Sequence, residues 1–501
     1  PSLNLTNEKK GIIKTTYTTS NKGKPFWKTL SENNIPCTVV RWPVTFPAEK
    51  INGRMLSGLG VVDIKGMLNS YSFYTDENIE GDNVVNVKKT GQKIITYISG
   101  PMIRKKGELK DIRVDMEIEC FDDYAKIMFD GQEIKLKKGK WSEMLRIEFK
   151  IYIMKIKGIF KLHLESFSPF KMYMTSIQID PKDPVHQISY PKDYAKELAD
   201  NISLYYTLGM PADTKAVKQG NLSKKVFLEQ VKEIENEREK MFWFEFERFN
   251  KGVFAFVFDS GDRLKHIFWD NESEKIPDEI KEYYLDKDRF IGEIIKKIDD
   301  GTKLIILSDH GFSDFTKKVN INNWLIEKGY MKTNQKQGSL LRFVDWEKTK
   351  AYSYGFTSIY LNLKTREKQG IVENKNKVAD SIIKDLNELK DKDKKVLTDV
   401  YKGEEIYSGE FNDDAPDIVL GFNRGYRMSD KSAIGELDEK VITENTDEWS
   451  GDHLMDRSHV PGVLFTNFNI KKKNPELIDI APTILKLSSI SADNMDGEEL
   501  L

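Results

Sequence analysis

Gly252-Val253-Phe254-Ala255-Phe256-Val257-Phe258 is an unbroken apolar run, and Asp262-Arg263-Leu264-Lys265-His266 begins four residues after it. A short continuous run of this kind is expected of a parallel strand covered on both faces. Upstream, Phe227, Val231, Ile234 and Met241 recur at helical spacing and predict one face of a long helix running to about Phe249, which Gly252 breaks. Downstream, Asp278 to Ile298 has the pattern of another amphipathic helix, and Lys303-Leu304-Ile305-Ile306-Leu307 that of a second buried strand. Asp417 to Leu420 and Val460 to Phe465 read as third and fourth strands, and Ile478 to Leu487 as a closing helix. Strands alternating with helices predict an α/β fold on a mostly parallel, doubly wound sheet.

The earlier part of the chain opens the same way and then changes period. Pro25 to Asn33 predicts a short helix, with Pro25 suited to its first position. Cys37 to Arg41 predicts a strand, followed by the loop Pro43-Val44-Thr45-Phe46-Pro47 and the glycine-rich Leu56 to Gly60. Further on, Val114, Met116, Ile118 and Cys120 alternate with charged neighbours, and Leu145, Ile147, Phe149, Ile151 and Ile153 alternate less strictly. Period two over this length predicts half-buried antiparallel strands, with Asp130-Gly131 as a hairpin turn. Pro181 and Pro184 mark the exit. The expected organisation is an α/β segment over 1–85, a β-rich module over 86–182 and the remaining α/β portion over 183–501. Lys390 to Lys395 reads as a solvated loop.

The 501 residues, 39% of them hydrophobic, suffice for a large core. A net charge of −2, with 32% charged residues of both signs intermixed, sets up no strong field toward nucleic acid or membrane. Two cysteines, Cys37 and Cys120, make no disulfide framework and read as small buried apolar residues. No apolar run reaches 18 residues, so no transmembrane helix is predicted. No signal peptide is visible, and because the sequence opens on Pro1 the compartment stays open between cytoplasm and export.

Six histidines are few enough to weigh singly. Asp262 and His266 fall on one face if their stretch is helical, where a carboxylate and an imidazole can grip one divalent ion; a surface ion pair fits the same spacing. Ser308-Asp309-His310-Gly311 comes straight off a predicted strand, where open α/β sheets bind ligands, and Gly311 lets the backbone turn. His453 follows Gly451-Asp452, with Asp452 open as a ligand, as a partner orienting an imidazole, or as an exposed residue. His163, His186 and His459 read as structural or surface residues. The candidate set is therefore Asp262, His266, Asp309, His310 and His453. Mixed His/Asp donors suit Zn²⁺, with Mn²⁺ the alternative in a more oxygen-rich site. A pair of ions able to clamp a phosphoryl group needs about three protein ligands each, so five donors fall one short.

This pattern resembles the alkaline phosphatase superfamily, in its type I phosphodiesterase/nucleotide pyrophosphatase branch. The resemblance rests on Asp262-x-x-x-His266, on Ser308-Asp309-His310-Gly311, on His453, and on Asp479-Ile480-Ala481-Pro482-Thr483-Ile484-Leu485 as a final helix. Prokaryotic members with a β insert are more similar still, sharing Pro43 to Pro47, Leu56 to Gly60 and Asp-Arg-x-x-His-x-Phe-Trp over Asp262 to Trp269. The resemblance implies a three-layer α/β/α core with a mostly parallel sheet and an inserted antiparallel β module. It implies two divalent ions, one on Asp262, His266 and His453, the other on Asp309, His310 and one further Asp. That Asp and a nucleophilic Thr or Ser are expected upstream of Pro1, because Thr15, Thr16, Thr18 and Thr19 come too late in the order of the fold. The stretch in hand is thus expected to catalyse little by itself. The implied reaction is metal-dependent hydrolysis of a small-molecule, lipid-linked or glycan-linked phosphoester, with no nucleic-acid polymer as partner. A phosphotransferase or phosphomutase on the same scaffold is the alternative. So is a non-catalytic binding protein using the β module, in which Trp141 and Phe167 to Tyr173 would serve either as ligand contacts or as core.

Overall fold

The computed structural model describes residues 2–9, 12–19, 21–105, 108–151, 154–271, 275–334, 340–493 and 495–501. It is a mixed α/β structure with several sheets, consistent with an alkaline phosphatase-like fold. Its contacts divide the chain into two units, Pro1–Arg263 with Lys472–Leu501, and Leu264–Lys471. The boundary cuts one continuous helix, Ser260–Phe268, between Arg263 and Leu264.

In the first unit the strand Cys37–Trp42 lies between Gly53–Ser57 and Val253–Phe256 and is parallel to both. Successive side chains of a strand point to opposite faces, and here each face has its own core. Val39 and Met55 pack with Phe26, Trp27, Leu30 and Leu485, from the helices Phe26–Glu32 and Ile480–Leu487. Val40 and Leu56 pack instead with Tyr194, Leu198 and Met241, from the helices Tyr194–Ile202 and Lys224–Phe246. Val253–Phe256 was expected to be fully covered and is only half-buried. It ends its four-stranded sheet, with Cys37–Trp42 on one edge. The long helix stops at Phe246 rather than Phe249, and its start is capped by Ser223, whose hydroxyl accepts from the Val226 N–H. Cys37 and Cys120 are buried and unbridged, and burial pushes the Cys37 thiol up to about 12.

The same unit holds the β-rich stretch. Gln132–Lys137, Tyr124–Phe129, Glu108–Cys120, Lys93–Lys105 and Lys89–Thr90 form a five-stranded antiparallel sheet in that order. Leu145–Ile151 pairs with Met154–Phe160 in another sheet. The alternation holds as read: Met116, Ile118 and Cys120 are buried, as are Ile147, Phe149 and Ile151, while Ile153 lies outside the described residues. Asp130 and Gly131 have φ of 48° and 71°, the left-handed pair that a two-residue hairpin turn requires. Ser72–Thr75, from before residue 86, pairs with Phe170–Met174.

In the second unit Ile305–Leu307 and Leu464–Thr466 pair antiparallel, and both are no more than half-buried. Ile418–Phe422 stands between Ser358–Leu361 and Leu397–Lys402 in an antiparallel sheet over the core of Trp324, Leu325, Ile382, Leu386 and Phe422. Lys390 to Lys395, expected as a loop, closes into a two-residue ladder, Lys390–Asp391 with Lys394–Lys395. Among the described residues no helix is long and apolar enough to cross a membrane.

Phe149 is fully buried in the core of the β-rich stretch beside Phe160 and Ile118. Phe149→Ala is expected to destabilise the protein by about 3–5 kcal/mol through the cavity it leaves, read as a lower urea midpoint. An unchanged midpoint would show that this core does not contribute to stability.

Candidate metal centre

The helix Ser260–Phe268 confirms the helical reading of Asp262 and His266, which stand one turn apart. His266 is buried, and its Nδ1 lies 2.8 Å from the Gly451 carbonyl oxygen. A carbonyl can only accept, so Nδ1 carries the proton and Nε2 keeps the lone pair that a metal ligand needs. His310 repeats the arrangement, with its Nδ1 3.0 Å from the Gly311 carbonyl oxygen. Asp309 is mostly exposed and lies 3.3 Å from His310 Nε2 through Oδ2. Gly311 serves close approach: a Cβ there would sit 2.5 Å from the Pro461 carbonyl oxygen.

His453 reaches His310 through the backbone. Ser313 pairs with Asp452 and Asp314 with Gly451, antiparallel, so the residues just beyond Gly451-Asp452 lie beside those just before Ser313. The two imidazoles stack, with centroids 3.6 Å apart and planes 14° from parallel. The His266 ring is 5.2 Å from that of His453 and 3.7 Å from that of Trp449. Phe312 stands 4.9 to 5.7 Å from all three imidazoles. Along its helix, Asp262 joins this group: Asp262, His310 and His453 each offer a ligand atom, all within 4.8 Å of one another. Asp262 also pairs with Arg263 at 3.0 Å, so the surface-ion-pair reading describes part of its surroundings.

The donor chemistry fits a divalent ion, since two imidazoles and a carboxylate are the ligand types of three-ligand zinc sites that keep a position open. The three converging residues come from both of the ligand sets that the family resemblance implies, with His266 and Asp309 alongside them.

Asp452, left open by the sequence, is fully buried. Its Oδ1 accepts from the backbone N–H groups of His453 and Leu454 at 2.8 and 2.9 Å. Its Oδ2 accepts from Trp449 Nε1 at 2.7 Å and lies 2.8 Å from Arg427 Nε. Burial opposes ionisation of this carboxyl, yet the Arg427 guanidinium, His266 and His453 hold it below the usual carboxylate range. Arg427 carries no signal in the sequence. It arrives because Gly425–Met428 runs parallel to Ser313–Val319, with Arg427 opposite Lys318.

The other histidines, expected as structural or surface residues, are engaged elsewhere in the chain. His163 is buried against Trp141, with ring centroids 5.2 Å apart, and burial pushes it down to about 4. His186 packs on Tyr17 and Phe46, and His459 Nε2 lies 2.7 Å from Thr398 Oγ1. Phe170, Met172 and Tyr173 are core residues. Thr19 Oγ1 donates to the Val44 carbonyl, while the side chains of Thr15 and Thr16 lie outside the described residues.

A family model for type I phosphodiesterase/nucleotide pyrophosphatase matches residues 170–453, more than half of the chain, and spans all five candidate donors. No curated protein matches closely enough to count as a relative. The chain belongs to the type I phosphodiesterase/nucleotide pyrophosphatase family, and with it to the alkaline phosphatase superfamily.

Proposed function

We propose that this protein hydrolyses phosphoester bonds of small-molecule, lipid-linked or glycan-linked substrates at a centre holding two divalent metal ions, preferably zinc. The observation that carries the reading is the convergence of Asp262, His310 and His453 within 4.8 Å. His266 and Asp309 extend the donor set to five, each beside one of the converging imidazoles. In this reading the α/β core spans 1–85 and 183–501 in three layers, with 86–182 as the inserted module.

Bound metal ions would polarise the phosphoryl oxygens and stabilise the attacking and leaving oxygens of an in-line displacement. The chain's own residues prepare the site for this. The Gly451 and Gly311 carbonyls accept from Nδ1 of His266 and His310, which leaves Nε2 of each ring as the atom available to a metal. Phe312 and Trp449 pack against the imidazoles, which restricts ring rotation and keeps water from that side. Asp452 is a positioning residue: it binds the backbone N–H of His453 while Arg427 neutralises its buried charge.

Asp262→Ala, His310→Ala and His453→Ala are each expected to lower the zinc retained after gel filtration, measured by elemental analysis, and to lower hydrolysis of bis-p-nitrophenyl phosphate. A variant with full metal content would remove that residue from the site.

Asp452→Asn keeps the shape and removes the charge. It is expected to weaken zinc binding by roughly 10–100-fold, the usual loss when a residue supporting a ligand is changed. Unchanged affinity would reduce Asp452 to a packing residue.

A further inference from the structure

Arg41 and Arg238 are two guanidinium groups buried in the first unit, each at most 3% exposed. Both face the carboxylate of Asp259, the residue immediately before the helix Ser260–Phe268. Arg41 Nη2 is 3.8 Å from Asp259 Oδ2 and Arg238 Nε is 3.9 Å from Asp259 Oδ1, too far for hydrogen bonds. Arg41 gives its terminal nitrogens to the carbonyls of Ser57, Thr207, Leu208 and Gly209, and Arg238 gives Nη2 to that of Tyr206. Arg41 Nε, Arg238 Nε and Nη1, Asp259 Oδ1 and Ser260 Oγ have no hydrogen-bond partner among the described residues. Two buried positive charges thus face one loosely held negative charge, and burying an uncompensated guanidinium is costly. Burial, then the neighbouring Arg238, pushes Arg41 down to about 9. Burial pushes Glu237 up to about 7, so it supplies only part of the missing negative charge.

The backbone is built to deliver Arg41 to this place. Its φ is 62°, left-handed for a residue with a side chain, at a register shift between Val40 and Trp42. Gly58 makes room for that kink: a Cβ there would sit 1.9 Å from the Arg41 carbonyl oxygen. Strain of this kind concentrates at functional sites. It also accounts for the glycine-rich Leu56 to Gly60 loop, which the metal centre does not use.

We propose that Arg41 and Arg238 form an oxyanion-binding subsite for phosphate, in which Asp259 is a displaceable counter-ion that occupies the guanidinium pair when no ligand is bound. Arg41 Nε and Arg238 Nε and Nη1 are the donors left for such a ligand, and a tetrahedral oxyanion takes several charge-assisted hydrogen bonds at once. The N–H groups at the start of the Ser260–Phe268 helix favour negative charge at the same point. Asp259, with a quarter of its side chain exposed, is the member of the trio that can move into solvent.

The test uses the full chain stripped of metal by EDTA, so that a failure of the proposed metal centre does not touch it. Titration with inorganic phosphate by calorimetry is expected to show saturable binding at one site. Arg238→Gln should weaken it by roughly tenfold or more, as loss of charge-assisted hydrogen bonds does, and Asp259→Asn should strengthen it, because the competing carboxylate is gone. A purely structural cluster predicts no gain in Asp259→Asn. No saturable binding by the unaltered protein, or binding that both variants leave unchanged, would overturn the proposal; if Arg238→Gln does not fold, the sign of the Asp259→Asn effect decides. With metal restored, phosphate competitive with substrate assigns the subsite to the substrate's own phosphate, and non-competitive phosphate assigns it to the free ion.

Discussion

Two backbone pairs, Ser313 with Asp452 and Asp314 with Gly451, hold the second unit's part of the candidate centre together. Their hydrogen bonds bring loops from distant parts of the chain side by side and set the His310 and His453 rings in stacked contact. The same ladder places the Gly451 carbonyl at His266 Nδ1. One short antiparallel contact therefore fixes a tautomer, a ring stack and the direction of approach of a third imidazole. A slip of one residue would turn Asp452 to the opposite face and undo all three.

Buried charge is the second organising theme. Asp452 is satisfied on both oxygens, by two backbone N–H groups, an indole and a guanidinium. Glu245, also buried, is paired with Arg248 and Arg54. Both carboxylates are held in close contact by their partners, an arrangement that rigidifies a site. The Arg41–Asp259–Arg238 cluster differs, because its members are close without being bonded. That difference separates a cluster serving only stability from one suited to exchange a counter-ion.

Much of this was legible from local pattern, and what was not was long-range. The alternation ending at Cys120 and the Asp130-Gly131 turn are decided within a few residues, and they came out as read. So did the helical phase of Asp262 and His266, because i,i+4 spacing is a property of one helix. The apolar strands misled in part: Ile305–Leu307 has an antiparallel partner, Leu464–Thr466, and Val253–Phe256 is an edge strand, and neither fact is written in the strand itself. Arg427 and Arg238 were missed because a buried charge is recognised only by its tertiary partners. Asp452 was nameable but not assignable, since its role depends on Arg427 arriving from another strand.

The six histidines supply their own controls for the central claim, that Asp262, His310 and His453 belong to one metal centre. Imidazole nitrogen-15 spectra recorded as zinc is added to the metal-free protein test it most directly. The account predicts that His310 and His453 shift at stoichiometric zinc while His163 and His186 stay fixed. Zinc binding that leaves the signals of His310 and His453 unmoved would contradict it.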